Sequence, residues 1–190
     1  MTAAKVFKAQ DLFEFNNINF DPLTATYDVG YYLSYMSIWP DYNYVLRSPD
    51  GSMMGYIMGK AEGKKQQTEE QSKAAMKWHG HVTAVTVAPE FRRLGVATLL
   101  MNILEETTEK NYAGSFVDLF VRASNENAIN MYKKLGYKVY RRVLEYYQDE
   151  GARKENGLDM RKAMIAIDPH KTTEKPLGRD ITVDELDETL

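Results

Sequence analysis

The sequence contains no cysteine. That excludes disulfides, thiolate-held metals and a cysteine nucleophile together. Nowhere do roughly 18 apolar residues follow one another, and the start Met1-Thr2-Ala3-Ala4-Lys5-Val6-Phe7 lacks a basic stretch followed by a long apolar run. No membrane contact is expected, and the expected location is cytoplasmic. An excess of positive charge is missing too: 24 Lys and Arg stand against 27 Asp and Glu, for a net charge of -3 and a pI near 5.7. Direct nucleic-acid binding through bulk electrostatics is therefore not expected. What remains is a globular composition, 44% hydrophobic and 27% charged over 190 residues, suited to one domain with a proper core.

The most informative stretch is Val85-Thr86-Val87-Ala88-Pro89-Glu90-Phe91-Arg92-Arg93-Leu94-Gly95-Val96-Ala97. It reads as a strand, a tight turn and the start of a helix, with the spacing Arg92-x-x-Gly95-x-Ala97. Backbone N–H groups at a helix start lack intrahelical partners and carry partial positive charge, which suits an anion. Gly95 and Ala97 keep the surface low enough for a diphosphate, and two arginines can add charge-assisted bonds. An ordinary turn with a solvated arginine pair is the alternative.

Ahead of it, Val6 and Phe7 suggest a first strand and Asp11 the N-cap of a short helix ended by Pro22. Tyr31 to Trp39 forms a second helix stopped by Pro40. These helices carry more large apolar groups than one buried stripe needs, which fits either core packing or a docking face. Tyr42–Arg47 and Met53–Gly59 around Ser48-Pro49-Asp50-Gly51 read as a hairpin with a type I turn. The Gly55…Gly59-Lys60 run is one residue short of a phosphate loop and has Ala61 where a metal-holding hydroxyl belongs. Residues 61–78 read as a long polar excursion, and His79 to Val87 as a buried central strand. His79 and His81 could face one side as a metal pair, but no further ligand is close in sequence, so no metal is expected.

Beyond the motif, Leu94, Ala97, Leu100, Met101, Ile103 and Leu104 follow helical spacing. Phe116–Val121 is a strand, Ser124–Leu135 a capped helix closed by Gly136, and Tyr137–Tyr140, Val143–Tyr147 and Asp159–Ile165 are extended. Residues 168–190 are polar and read as a disordered or loosely attached tail to a domain spanning 1–167. The order of elements predicts an α/β (α+β) fold: a mixed, mostly antiparallel sheet flanked by helices.

Arg92-x-x-Gly95-x-Ala97 at a strand-to-helix turn, a following strand, and Asn125-x-x-Ala128-x-x-Met131-Tyr132-x-x-x-Gly136-Tyr137 together resemble the GNAT acetyltransferases. More narrowly, Phe15-Asn16-Asn17-Ile18-Asn19, Asp21-Pro22-Leu23-Thr24, Gly55-Tyr56-Ile57-Met58-Gly59-Lys60, Trp78-His79-Gly80-His81-Val82-Thr83 and Asp118-Leu119-Phe120-Val121-Arg122 are similar to the catalytic subunits of N-terminal acetyltransferase B, NatB, over residues 1 to about 165. The resemblance implies a GNAT fold and acetyl transfer from acetyl-CoA to the α-amine of nascent proteins beginning Met-Asp, Met-Glu, Met-Asn or Met-Gln. It also implies a large helical-repeat auxiliary subunit, docked on the aromatic-rich helices near the N-terminus, and work at the ribosome.

By the same resemblance, the coenzyme side comprises Val87, Arg92, Arg93, Leu94, Gly95, Val96, Ala97, Asn125 and Tyr132, with Tyr132 near the thioester sulfur. The peptide side comprises Thr24, Ala25, Tyr27, His81, Thr83, Tyr146 and Tyr147, with an acidic residue implied where this chain has Ala25. Magnitudes bear on the roles. A substrate α-amine titrates at about 7.7–8.0 against about 10.4 for lysine, so on the order of a tenth is neutral at pH 7 and strong base catalysis is less needed. A tyrosine near 10 would protonate a thiol-like leaving group of about 8.5 uphill by about 1.5 units, so Tyr132 is expected chiefly to hydrogen-bond the sulfur and donate late. A neutral His81 can donate to the acceptor oxygen that all four second residues share, or relay a proton through water; a strand histidine satisfied in the core is the alternative. Two other functions stay open: a GNAT acting on lysine or a small amine, and a non-catalytic acyl-CoA-binding scaffold.

Overall fold

The computed structural model describes residues 2–15, 18–19, 24–63, 78–148 and 154–187. Strands β1 (Ala3–Val6), β2 (Tyr44–Arg47), β3 (Met53–Glu62), β4 (His79–Val87), β5 (Phe116–Arg122), β6 (Lys138–Tyr147) and β7 (Glu155–Ala163) are hydrogen-bonded in the order β1-β2-β3-β4-β5-β7-β6. The pairs β1–β2, β2–β3, β5–β7 and β6–β7 are antiparallel. Neighbours β4 and β5 are joined through helix α2 (Val96–Tyr112), the kind of crossover that parallel strands require, which gives the expected mixed sheet. Helices α1 (Val29–Ile38), α3 (Glu126–Lys134) and α4 (Val183–Asp187) complete the set.

Contacts gather the chain into two compact units: Met1–Lys60 with Val82–Thr107, and Ala61–His81 with Thr108–Leu190. The division falls inside β3, β4 and α2, so no linker composition marks it. The expected excursion over 61–78 lies outside the described residues from 64 to 77, as do Asn16, Asn17, Asp21, Pro22 and Leu23 of the amino-terminal resemblance and residues 149–153 of the loop before β7.

The first unit is built on aromatic packing. Phe7, Phe15, Tyr32 and Tyr56 interlock, with Phe15 stacked on Tyr56 at 4.6 Å and edge-on to Tyr32 at 5.3 Å. Helix α1 starts at Val29, ahead of the expected Tyr31, because Asp28 accepts from the Tyr31 N–H, and buried Asn43 donates to the Tyr35 carbonyl near its other end. The hairpin also forms as read: the Gly51 N–H reaches the Ser48 carbonyl at 3.0 Å, with Gly51 at φ +92°. Two expectations change. The first strand ends at Val6, and Asp11 caps nothing from outside. It lies within a 3-10 turn, Ala9–Glu14, where its carboxylate accepts the Lys8 N–H at 2.7 Å and pairs with Arg47, which also binds Glu14.

In the second unit, β6 is irregular between Val139 and Arg141 and again between Val143 and Tyr147, where Glu145 sits at φ 53°. Such bulges bend a strand and re-aim its side chains. The last strand begins at Glu155, four residues before the expected Asp159, because Glu155 pairs with Tyr147 of β6 and Gly157, Leu158 and Asp159 pair with both β5 and β6. Two buried arginine–aspartate contacts hold its middle: Arg141 reaches Asp159 at 2.7 Å and Arg161 reaches it at 3.1 Å.

The expectation of a loose tail is corrected for residues 168–187. Ile181 forms a parallel bridge with Val143, its N–H and carbonyl bonding the Arg142 carbonyl and the Leu144 N–H at 3.0 and 2.8 Å. Ile181 and Leu186 are buried with Val143. Two apolar side chains among many polar ones leave little periodicity to read, yet they suffice to fasten the segment. Its turn is fixed by Asp168, whose carboxylate accepts from the Thr172 hydroxyl and from the N–H and hydroxyl of Thr173. Burial pushes this carboxyl up, but those donors outweigh it and bring it from the usual 3.8 to about 2. A depressed folded value means the stabilisation is complete above about pH 4 and is lost as pH falls toward 2. Asp168→Asn should therefore remove part of the acid-induced loss of stability between about pH 4 and 2, measured by urea unfolding across that range; an acid limb identical to wild type would show that the carboxylate contributes nothing.

Candidate active site

The predicted anion site lies in the first unit. Ala88 donates to the Met54 carbonyl at 2.9 Å, so the chain leaves β4 on a fixed anchor, and Pro89–Phe91 makes one 3-10 turn. Arg92 donates from Nε to the Val87 carbonyl at 3.3 Å, and Arg93 and Gly95 both take left-handed backbone angles, φ 64° and 80°. A Cβ on Gly95 would meet nothing within 4 Å, so the glycine serves conformation and a low open surface. Arg92, Arg93, Leu94 and Gly95 are exposed, Val96 is buried, and Ala97 half-buried in the first turn of α2. These features fit a diphosphate held by backbone N–H groups with guanidinium groups beside it.

The same unit assembles part of the expected peptide side. The Tyr27 hydroxyl donates to the Thr83 carbonyl at 3.4 Å, and its ring stacks on Tyr31 at 4.3 Å. Burial, with Tyr35 and Tyr32 nearby, pushes the Tyr27 phenol up to about 12, so it stays a neutral donor. Thr83 Oγ1 donates to the Tyr35 hydroxyl at 3.1 Å, and Thr24 Oγ1 lies 3.2 Å from Thr86 Oγ1. Tyr35, which receives both Thr83 and Tyr31, was not singled out from the sequence; its i, i+4 spacing from Tyr31 on α1 was the available signal. Ala25 is exposed and offers no carboxylate.

In the second unit the two β4 histidines converge on a carboxylate that sequence proximity did not suggest. His81 Nδ1 is 2.8 Å from Asp118 Oδ1, and His79 Nε2 is 3.7 Å from Asp118 Oδ2 and 3.2 Å from Glu62. Among the described residues no group of three or more such side chains is arranged to hold a metal. Asp118 has no solvent exposure. Burial pushes its carboxyl up, but the charge and hydrogen bond of His81, with His79 and Arg161 behind them, hold it below the usual carboxylate range. An ionised carboxylate only accepts, so His81 Nδ1 carries a proton; a neutral ring then has no second N–H, and Nε2 donates only from the imidazolium. This limits the neutral donor expected of His81.

Beyond His81 lies an aromatic row. Phe120 is 5.9 Å from the His81 ring and stacks on Tyr146 at 4.5 Å, and Tyr146 meets Tyr147 edge-on at 4.9 Å. Arg122 lies over the Tyr147 ring at 4.3 Å and pairs with Glu155. Phe120 is a second residue the sequence reading missed, although it stands two positions from Asp118 on one face of β5. Asn125 proves to be the N-cap of α3, its Oδ1 accepting the Ala128 N–H at 3.1 Å, so its side-chain NH₂ is the group left to face a ligand. Tyr132 is buried and edge-on to Tyr137 at 5.9 Å, and burial pushes its phenol well above 10.

The acetyltransferase (GNAT) family model matches residues 9–137. The chain belongs to the GNAT acetyltransferases. It is 50% identical over 187 residues to the N-terminal acetyltransferase B complex catalytic subunit NAA20 of Arabidopsis thaliana, covering 98% of this chain and 99% of that protein. Among solved structures, Chaetomium thermophilum Naa20 in complex with a bisubstrate analogue matches with a TM-score of 0.80 at 38% identity, covering 95% of this chain and 96% of that one. A NatB acetyltransferase complex bound to CoA and MES matches with a TM-score of 0.71 at 37% identity, covering 85% and 99%. This GNAT protein is an N-α-acetyltransferase of the NatB type. No helix of its described residues is long and apolar enough to cross a membrane.

Under the expectation that Tyr132 stands near the thioester sulfur, its burial bears on the proton transfer. A phenol raised by burial is a weaker acid than free tyrosine, so full proton transfer to a thiol-like leaving group of about 8.5 is uphill by more than the 1.5 units reckoned from the sequence. Tyr132→Phe is expected to lower kcat by about tenfold or more with little change in the coenzyme KM, measured by steady-state kinetics; equal effects on both would contradict a role confined to the transition state.

Proposed function

We propose that this enzyme transfers acetyl from acetyl-CoA to the α-amine of proteins beginning Met-Asp, Met-Glu, Met-Asn or Met-Gln, as the catalytic subunit of a NatB-type complex. The observation that carries the acceptor reading is the row His81, Phe120, Tyr146, Tyr147. Aromatic faces suit a leading methionine, whose thioether packs favourably on rings, and the imidazole at the end of the row suits a polar second side chain. Tyr27 and Thr83, with Thr24 and Ala25, line the peptide backbone in this reading.

For the donor, Val87 pairs with the pantetheine as an added strand would, and backbone N–H groups from Arg92 to Ala97 hold the diphosphate. Asn125 donates from its NH₂ to the coenzyme, and Tyr132 hydrogen-bonds the departing sulfur. Acetyl-CoA supplies the activated acyl group when bound. On the order of a tenth of the α-amine is already neutral at pH 7; as its nitrogen bonds the acetyl carbon and the C–S bond breaks, the nitrogen gives up one proton and the CoA sulfur takes one up.

The partner is a large helical-repeat auxiliary subunit that receives the N-terminal helices and brings the enzyme to the ribosome in the cytoplasm. The exposed apolar side chains Phe13, Val29, Leu33 and Ile38 support this, since core packing leaves them unused. A panel of Met-Asp, Met-Leu and Ser-started peptides plus an internal-lysine peptide with a blocked N-terminus, run with and without the auxiliary subunit, tests the whole reading. Turnover confined to Met-Asp and dependent on the subunit is expected. Lysine turnover, CoA binding without turnover, or full activity and solubility of the lone chain would each count against it.

A further inference from the structure

Asp118 is a fully buried group on which two imidazoles converge, one at each oxygen. His79 is itself pinned, stacked on Phe116 at 4.5 Å and 5°. Across the β5–β7 register Asp118 stands opposite Arg161, whose guanidinium binds Asp159 and covers the Tyr140 ring at 3.6 Å. A carboxylate so enclosed cannot turn without leaving a buried charge unpaired. Oδ1 is thereby a fixed acceptor, and the ring that donates to it at 2.8 Å is fixed with it.

We propose that Asp118 is the positioning residue for His81: it holds Nδ1–H, sets the plane of the ring, and supplies the counter-charge under which His81 offers a second donor, Nε2–H, to the side-chain oxygen of the peptide's second residue. This rests on the NatB reading of the acceptor. The chemistry follows from the donor count. A neutral ring bonded to Asp118 through Nδ1 carries a lone pair at Nε2, and a lone pair repels the carboxylates of Asp and Glu. The doubly protonated ring donates to all four second residues, most strongly to the two that are charged. Asp118 thereby acts on specificity without touching substrate.

A double-mutant cycle in the complex with its auxiliary subunit, on Met-Asp and Met-Asn peptides, tests this. Asp118→Asn should lower kcat/KM for Met-Asp by about tenfold or more, and for Met-Asn by less, with the acetyl-CoA KM within about twofold of wild type. On top of His81→Ala, Asp118→Asn should add less than about twofold. A loss that multiplies in full onto His81→Ala, or that falls equally on the acetyl-CoA KM, overturns the proposal, because lost packing produces that pattern. Should Asp118→Asn fail to fold, ¹⁵N NMR of the wild-type imidazoles decides independently: protons on both ring nitrogens of His81 support the proposal, and a bare Nδ1 or a bare Nε2 overturns it. Wild-type turnover confined to other N-termini overturns the NatB reading itself, and with it the second-residue contact. Selectivity for Met-Asp with additive losses overturns the role of Asp118 alone.

Discussion

A carboxylate cut off from water must find its counter-charge inside the protein. Asp118 does so through His81 and His79, with Arg161 as its cross-strand neighbour, and the arrangement of the second unit follows from that need. Removing one partner of a buried charge pair typically costs about 3–5 kcal/mol, so the carboxylate and its imidazoles hold each other in place. Asp159, one strand over, repeats the solution with Arg141 and Arg161. Burial and the nearby charge of Asp118 nevertheless push the Asp159 carboxyl up. Two buried aspartates with opposite shifts are thus served by a short supply of cations, which leaves little tolerance for moving any one of them.

The donor loop obeys a different constraint. Its geometry depends on backbone angles, with Arg93 and Gly95 both left-handed between the anchor at Ala88 and the buried Val96. Backbone N–H groups carry no side-chain specificity, so this loop suits a ligand part common to many acyl donors. Side chains elsewhere pack as aromatic pairs: Tyr27 on Tyr31 in one unit, and Phe120 with Tyr146 and Tyr147 in the other.

Local rules made much of this legible. Ser48-Pro49-Asp50-Gly51 in the hairpin and Gly136 after α3 each act within a few residues, and each reads correctly from its neighbours. Asp11 misled because an acidic residue fits both the cap and the third position of a turn, and Arg47, 36 residues away, decided between them. The tail misled because Ile181 and Leu186 are too few to give a periodic signal, while Val143 supplies the surface they cover. The site divides the same way: the Arg92–Ala97 loop is a local motif, whereas the Asp118–His81 contact spans 37 residues and depends on strand register. No spacing in the sequence encodes it.

The proposed acetylation of α-amines of Met-Asp, Met-Glu, Met-Asn and Met-Gln proteins is open to mass spectrometry of protein N-termini in cells deleted for their own NatB catalytic subunit and supplied with this chain. The account predicts that acetylation returns at those four classes of N-terminus and not when His81 is replaced by Ala. Free N-termini in the complemented cells, or acetyl groups restored at Ser- or Ala-started proteins instead, would contradict it.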